Sequence, residues 1–322
     1  MMVVIVTACG DGDEHPTGPA TGAPGPFFDE PMFFNQDFSN VAPSSEGGSQ
    51  IRALRAAGGW GNGDRMQIDF SFDVLLADES APLRTFEPTD EFYEPDCDQV
   101  EVPLPDGGNV EGESGYACDS DGDCHLLVYA PARGTLYEMW RANITGGSFE
   151  GGCMAAWDTT ISYAATLRGE QCTSADASGF PIAPMLFTAD EVAAGEIDHA
   201  IRFILPNDRP KQGAYSRPAT HGTFTDGNSD AVPYGVHLRL RADYPIETLP
   251  SEGARVVARA MQKYGMYHAD GGNIALTAAT DRYTTAKWDG LLEAKDLSDL
   301  AVEDFEVMDH GATIELTLDC VR

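Results

Sequence analysis

Short segments in which apolar and polar residues alternate recur along this chain, and they restrict its fold more than any other feature. The clearest is residues 66–76, where Met66, Ile68, Phe70, Phe72 and Val74 are separated by single polar residues. Such alternation is typical of a strand with one buried face. Similar segments cover residues 196–205, 236–242 and 312–321. Because Gly, Pro and Asp turns separate them, the sequence predicts an all-β domain of the β-sandwich or jelly-roll type.

A hairpin and two short helices complete the predicted elements. Residues 125–130 and 135–142 flank a four-residue turn, Pro131-Ala132-Arg133-Gly134, as the arms of a hairpin do. Pro250-Ser251-Glu252 starts a helix that stops at Gly265, and a second helix is predicted over residues 285–297. No internal repeat occurs, so residues 31–322 are predicted to form one domain.

The N-terminal segment predicts export and lipidation. Met1 to Val6 are all apolar, and Thr7-Ala8-Cys9 has the spacing of small residues that a lipoprotein signal peptidase recognises. Residues 1–8 are therefore interpreted as a truncated lipoprotein signal segment and Cys9 as the lipidated residue, the alternative being an apolar N-terminus with a chance cysteine. Residues 9–30, rich in Pro, Gly and acid, predict a flexible tether.

These features together predict an extracytoplasmic protein, held at the cell envelope on its periplasmic or surface side. After residue 8 there is no run of about 18 apolar residues that could span a bilayer. The membrane is therefore expected to be contacted only through the lipid anchor.

Six further cysteines favour disulfides over metal or redox sites. None of them forms a C-x-x-C pair, which zinc ribbons and thioredoxin-like sites need. Disulfides indicate an oxidising compartment. Proximity in sequence favours Cys118–Cys124 and Cys153–Cys172, which leaves Cys97–Cys320 as the third pair.

Charge excludes one class of partner. The chain has 20 basic and 52 acidic residues, a formal net charge of −32. Since nucleic-acid binding depends on Lys and Arg neutralising phosphates, nucleic acid is not an expected partner. A salty or calcium-rich habitat would suit this composition, and so would a merely soluble surface.

One segment has the spacing of a calcium loop. Asp119, Asp121 and Asp123 stand at alternate positions between Cys118 and Cys124. The twelfth position counted from Asp119 is Ala130 instead of the Glu that an EF-hand requires. A disulfide-closed acidic turn is therefore the preferred interpretation, and no metal or other cofactor is predicted.

Several motifs carry a resemblance to a known group of proteins. They are C-T-S-A-D-A-S-G-F-P-I-A-P from Cys172, D-E-V-A-A-G-E-I-D-H-A-I-R-F from Asp190, R-P-A-T-H from Arg217, Y-G-M-Y-H-A-D-G-G from Tyr264, and the shorter D-C-H at Asp123 and L-Y-E at Leu136. Over residues 60–309 the chain resembles an uncharacterised group of secreted bacterial and fungal proteins. The group has no established activity, and its members resemble parts of extracellular proteins that handle polysaccharides.

The polar residues of these motifs form the candidate catalytic set: His125, Asp176, His199, Arg202, His221, His268 and Asp270. His199 shares the apolar face of residues 196–205, where a histidine is either a base in a groove or a satisfied core residue. Asp270 is expected to orient His268, and Arg202 to clamp an anionic group. Candidate sugar-stacking residues, which could equally pack in the core, are Tyr137, Trp140, Trp157 and Tyr264.

Two functions follow from this set. The first is a protein that binds an extracellular polysaccharide or cell-envelope glycan, with cleavage left open between glycoside hydrolysis, which needs two carboxylates, and lyase chemistry, which needs a base beside an arginine. The alternative is a non-catalytic structural or adhesive surface module. Motifs of α/β serine hydrolases, NTPases and dinucleotide enzymes are absent from the sequence.

Overall fold

The computed structural model describes residues 27–92, 94–120 and 122–322, so the predicted signal segment, Cys9 and most of the predicted tether lie outside it. The described residues form four helices: α1 (Gly47–Ala56), α2 (Gly61–Asp64), α3 (Ala189–Ala194) and α4 (Glu252–Lys263). They also form 17 strands: β1 (Ile68–Phe72), β2 (Val74–Leu76), β3 (Leu83–Arg84), β4 (Glu87–Pro88), β5 (Val102–Pro103), β6 (Leu126–Ala130), β7 (Thr135–Trp140), β8 (Asn143–Thr145), β9 (Ser148–Gly151), β10 (Cys153–Asp158), β11 (Ile201–Leu205), β12 (Ala214–Tyr215), β13 (His237–Leu240), β14 (Met266–Gly271), β15 (Leu276–Ala279), β16 (Phe305–Val307) and β17 (Ile314–Glu315).

Two sheets dominate. The larger has the order β1-β15-β11-β14-β13-β16 and the smaller has the order β10-β7-β6-β2. The pairs β1–β15, β11–β14 and β2–β6 are parallel, whereas β13–β14 and β6–β7 are antiparallel. The predicted β-rich class is confirmed. Because the sheets are mixed while sandwiches and jelly rolls are built from antiparallel strands, that finer assignment is not established.

The strand predicted over residues 66–76 is divided between the two sheets. β1 belongs to the larger sheet and β2 to the smaller, with Asp73 between them. The buried Asp73 carboxylate accepts a hydrogen bond from the Thr280 hydroxyl and pairs with Arg282 at 3.0 Å. One alternating segment therefore links both sheets, and it passes from one to the other at a buried carboxylate that is bonded by side chains.

The faces of the larger sheet differ in what they pack against. Ile201 and Phe203 of β11 join the apolar core beneath α4, together with Val257 and Met261 of that helix. Arg202 lies between them in sequence and so points to the opposite face. There Phe72 and other aromatic side chains form a second core, towards the smaller sheet. A charged residue is thus directed into an aromatic interior.

The first predicted helix is confirmed and the second is wrong. α4 begins after Ser251, whose Oγ accepts from the Ala254 amide at 3.1 Å, and Gly265 follows it at φ +74°. Residues 285–297 form successive turns instead. Side-chain carboxylates take amide hydrogens there, as Asp281 does from Trp288, and Gly290 lies at φ +72°.

Two of the predicted strands are shorter than expected, whereas the hairpin has the expected arms. β11 covers only the second half of residues 196–205, because the Ala200 amide donates to Phe34 O at 2.7 Å. β17 is all that forms from residues 312–321, although the backbone of Val321 also bridges to Glu170. β6 and β7 pair from Ala130 opposite Thr135, as predicted.

The described residues contain three disulfides, and two of the predicted pairings are wrong. Cys118–Cys124 is bonded as predicted, but the other bonds are Cys97–Cys153 and Cys172–Cys320. Backbone pairing explains the difference. The Asp98 amide donates to Met154 O at 2.8 Å, and Glu170 and Val321 exchange backbone hydrogen bonds, so each cysteine meets a partner remote in sequence.

The disulfides are typical of an oxidising compartment outside the cytoplasm. Among the described residues, no helix has both the length and the apolar character needed to cross a bilayer.

Removing the long-range disulfide should cost more stability than removing the local one. Cys172–Cys320 spans 148 residues and Cys118–Cys124 spans 6. Loop-closure entropy predicts losses of about 5 and about 2 kcal/mol for the respective double serine variants. Urea unfolding of both variants measures the difference, and equal losses would contradict the prediction. Peptide mapping without reduction checks the pairing itself.

Candidate functional site

Arg202 places a buried positive charge in the second core. Its side chain is 2% exposed, and it holds Asp176 through two bonds, Nε to Oδ2 at 2.9 Å and Nη2 to Oδ1 at 2.8 Å. Nη1 donates to the Thr277 hydroxyl at 3.0 Å. Such a bidentate pair fixes both side chains in one geometry. It also occupies the guanidinium, so Arg202 does not have the free edge that the predicted anion clamp requires.

A second carboxylate faces the same guanidinium from the solvent side. Asp270 Oδ2 lies 3.6 Å from Arg202 Nη2, and its side chain is 24% exposed. Backbone amides also donate to it, from Ala177 at 3.4 Å and from Gly271 at 2.7 Å. Burial, together with the negative charge of Asp176, raises the pKa of Asp270 to about 7. This carboxyl therefore exchanges its proton near neutral pH.

A carboxylate and histidine pair also lies close to Phe72. His125 Nδ1 lies 2.6 Å from Glu111 Oε2, and its Nε2 lies 3.1 Å from Ala175 O. Burial alone would lower the pKa of His125, but Glu111 raises it to about 9. Both ring nitrogens face acceptors, as an imidazolium requires. Glu111 is held ionised in turn, because His125 lowers its pKa despite burial.

The two halves meet around the Phe72 ring. Its centroid lies 5.3 Å from that of His125 and 5.4 Å from Arg202 Cζ. Ser71 donates to Glu111 Oε1 at 3.2 Å, and burial raises the pKa of neighbouring Asp69. The charges of Asp270 and Glu111 both favour the Arg202 cation. Four carboxylates therefore surround two cations; we call this group the carboxylate site, comprising Asp69, Glu111, His125, Asp176, Arg202 and Asp270.

Glu138 fixes the segment that carries Asp176. Its fully buried carboxylate accepts from the amides of Ile182 and Ala183 at 2.8 to 3.0 Å, and from Trp157 Nε1 at 3.0 Å. Burial raises its pKa to about 7. Since Glu138 is in β7, these bonds attach the segment after Asp176 to the smaller sheet.

Four of the seven predicted catalytic residues, His125, Asp176, Arg202 and Asp270, are brought together. Asp270 does not orient His268, contrary to expectation, because it turns towards Arg202. The His268 ring lies 4.3 Å from that of Tyr234, and neither of its nitrogens has a hydrogen-bond partner among the described residues. Burial lowers its pKa to about 3, so the ring is neutral.

The other two predicted histidines lie apart from these four. His199 precedes β11 instead of lying in a strand, and its ring nitrogens face Glu191 Oε1 at 3.3 Å and Ala200 O at 2.9 Å. The His221 Nδ1 atom lies 2.9 Å from Ala177 O, so this ring borders the site only through backbone. Both are buried residues of the interior.

Most of the predicted sugar-stacking residues are enclosed. Trp157, Tyr137 and Tyr264 are buried, and the Tyr163 and Phe28 rings pack against Trp157. Trp140 is half-buried and donates from Nε1 to Asp123 at 2.9 Å. Core packing accounts for the first three, since a sugar ring needs an open aromatic face.

Three residues that sequence reasoning did not select are central: Glu111, Asp69 and Glu138. Asp69 stands on the polar face of the best predicted strand, so the alternation itself could have indicated it. Glu138 lies within the L-Y-E motif of the resemblance. Glu111 follows a Gly- and Asn-rich stretch without periodicity, and no signal in the sequence marks it.

The described residues offer few groups of side chains that could bind a metal cation. Asp121, part of the predicted calcium loop, lies outside the described residues, and Asp123 bonds Trp140. Elsewhere in the described part of the chain, two groups of three potential ligand atoms lie within 4.8 Å of one another: Asp96 with Cys172 and Cys320, and Glu113 with Cys118 and Cys124. Disulfide-bonded sulfurs are not thiolates, so neither group offers the ligands of a transition-metal site.

Replacing Asp176 should destabilise the protein far more than replacing Asp270. Asp176→Asn leaves a buried guanidinium without its bidentate partner, which costs about 3–5 kcal/mol. Asp270→Asn is the matched control, because it removes a carboxylate that Asp176 repels. Urea unfolding at pH 8 compares the two; equal losses would show that the second carboxylate supports the fold as much as the first.

The pKa of Asp270 also predicts how stability depends on pH. Its pKa is about 7 in the folded chain, against about 3.9 when unfolded, so folding takes up a proton between these values. The stability that this group contributes is present below pH 4 and is lost as pH rises to 7. Thermal unfolding of Asp270→Asn from pH 4 to 8 should show a shallower decline than the wild type, and an unchanged slope would contradict the assignment.

Comparison with known proteins adds no assignment. No protein-family model, curated protein or solved structure matches this chain. The resemblance to secreted bacterial and fungal proteins stays a prediction, and function has to be inferred from the geometry of the carboxylate site.

Proposed function

We propose that this protein acts outside the cytoplasm on an extracellular polysaccharide and hydrolyses glycosidic bonds at the carboxylate site. The observation that carries the proposal is the opposite perturbation of two partly exposed carboxyls. The pKa of Asp270 is raised to about 7, while that of Glu111 is lowered by His125. Environments that push two carboxyl pKa values apart are the usual basis for acid and base roles.

The roles follow from protonation. Asp270, protonated below about pH 7, donates its proton to the glycosidic oxygen as the bond to the leaving sugar breaks. Glu111 remains ionised at that pH and supports the positive charge that develops on the other sugar, or takes a proton from the attacking water. Arg202 and Asp176 are buried, and they act by holding Asp270 in position.

Lyase chemistry is less well supported. A lyase needs an arginine or other cation free to neutralise a uronate, and the guanidinium of Arg202 is enclosed by Asp176, Asp270 and Thr277. The net charge of −32 also disfavours polyanionic substrates. A neutral polysaccharide is therefore the proposed substrate class.

The proposal also includes the location of the protein. The three disulfides support an oxidising compartment. We further propose lipidation at Cys9, with residues 9–26 as the tether that separates the folded domain from the membrane surface. The predicted tether extended to residue 30, but Phe28 is buried in the second core and belongs to the domain.

The alternative, a non-catalytic structural or adhesive module, has one observation in its favour. The ring nitrogens of His125 and His199 all face acceptors within the chain, and Arg202 is fully paired, as in a structural ion cluster. Such a module would bind a glycan without releasing soluble products. Activity measurements separate the two candidates.

Activity should depend on Asp270 and follow a bell-shaped pH profile. We expect soluble products from at least one neutral polysaccharide, and a loss of about 10²–10⁴-fold in kcat/KM for Asp270→Asn. The wild-type rate should fall above about pH 7, as Asp270 loses its proton, and again at low pH as Glu111 gains one. Asp243→Asn, at an exposed ion pair, is the control.

Reducing-sugar release across a panel of soluble β-glucan, xylan, galactomannan and amylose measures this. Equal rates for Asp270→Asn and the control would exclude the assigned acid. Binding without product release would instead favour the non-catalytic module.

A further inference from the structure

Two aromatic side chains stand out from the rest of the molecule by their exposure. Phe224 is 77% exposed and Tyr283 is 52% exposed. All other Phe, Tyr and Trp side chains in the described part of the chain are buried or half-buried. Scattered exposed apolar residues are common on soluble proteins. What distinguishes these two is where the surrounding hydrogen bonds place them.

Phe224 belongs to a loop that borders Asp270 at both ends. On one side, His221 bonds Ala177 O, and the Ala177 amide donates to Asp270 Oδ2 at 3.4 Å. On the other side, the Asp226 amide donates to Asn207 O at 3.0 Å. Asn207 packs so closely on Gly271, the residue after Asp270, that a Cβ there would collide with its side chain. The loop thus spans the rim beside Asp270.

The loop also holds Phe224 outward. The next residue, Thr225, is buried and donates from Oγ1 to Lys211 O at 2.8 Å. Since this hydrogen bond fixes the backbone beside Phe224, the ring is presented to solvent by a fixed segment. An exposed ring on such a segment loses little conformational entropy when a ligand covers it.

Tyr283 occupies the corresponding place beside Glu111. Its hydroxyl accepts from Asn109 Nδ2 at 2.9 Å, two residues before Glu111. The neighbouring Arg282 pairs with Asp73 at 3.0 Å, two residues after the Ser71 that bonds Glu111. Tyr283 is therefore tied to both segments that hold the Glu111 carboxylate.

We propose that Phe224 and Tyr283 are the stacking residues of two sugar-binding subsites, one beside Asp270 and one beside Glu111, which receive pyranose rings on either side of the bond to be cleaved. The apolar C–H face of a pyranose packs on an aromatic ring, and a neutral sugar avoids repulsion from the acidic surface. This inference rests on the proposed function and extends it, because it assigns the residues that bind the polysaccharide.

The test measures binding separately from cleavage. Affinity electrophoresis in gels containing β-glucan, xylan, galactomannan or amylose is performed in the Asp270→Asn background, with Phe224→Ala and Tyr283→Ala added singly. Each should weaken binding by about tenfold, the loss expected for one stacking contact. Phe224→Trp and Tyr283→Phe keep a ring and should restore binding. Ile161→Ala, at another exposed apolar residue, is the matched control.

The outcomes separate the two proposals. Binding of the Phe224→Ala and Tyr283→Ala proteins as tight as that of the Ile161→Ala protein overturns the subsites, even if the wild type cleaves the polysaccharide. Weakened binding with restoration by the ring-retaining variants supports the subsites, even if no product is ever released and hydrolysis is abandoned. A wild-type protein that binds none of the four polysaccharides overturns both.

Discussion

The bidentate pair between Arg202 and Asp176 is the interaction on which the rest of the structure depends. A guanidinium buried between two aromatic-lined sheets is tolerated only when its donors are filled, since an unpaired buried charge costs several kcal/mol. Filling them requires β11 for Arg202, β15 for Thr277 and the segment after Cys172 for Asp176. The second core can therefore pack around Arg202 only when the segment that carries Asp176 is in place.

Excess negative charge around this pair explains the raised pKa of Asp270. The carboxylate site has four acids and two cations, so it cannot ionise every acid without uncompensated charge in a poorly solvated interior. The acid whose pKa is raised is Asp270, because Asp176 already occupies the guanidinium of Arg202. A group kept near its titration point at neutral pH destabilises the fold slightly and is suited to the proton transfer that we propose for it. Active sites often exchange stability for function in this way.

Sequence reasoning reached part of this arrangement and failed at identifiable points. The alternation of apolar and polar residues predicted the β-rich class, and the motifs identified Asp176, Arg202 and Asp270. These predictions succeeded because the local sequence pattern determines where a strand forms and which way its side chains point. It did not predict that residues 66–76 change sheet at Asp73, since a buried carboxylate there bonds side chains remote in sequence. The helix predicted over residues 285–297 does not form for a related reason, since the Trp288 amide donates to the Asp281 side chain instead of to a helical carbonyl.

The disulfides show most clearly why the site itself could not be read from the chain. Proximity in sequence favoured Cys153–Cys172, but both cysteines bond elsewhere, and the two bonds converge on the segment before Asp176. Cys172 joins the C-terminal segment, and the next amide, Thr173, donates at 2.9 Å to Asp96, the neighbour of Cys97. Arg168 adds a bond to Thr173 O and an ion pair with Asp98.

Asp176 lies only four positions after Cys172, so these covalent and ionic contacts fix the carboxylate that holds Arg202, and Arg202 in turn positions Asp270. Electrostatic catalysis depends on such groups being held before the substrate arrives. A protein in an oxidising compartment outside the cytoplasm can use disulfides for that purpose. Oxidative folding is then a condition for the geometry of the proposed proton transfer as well as for stability, because the same bonds serve both.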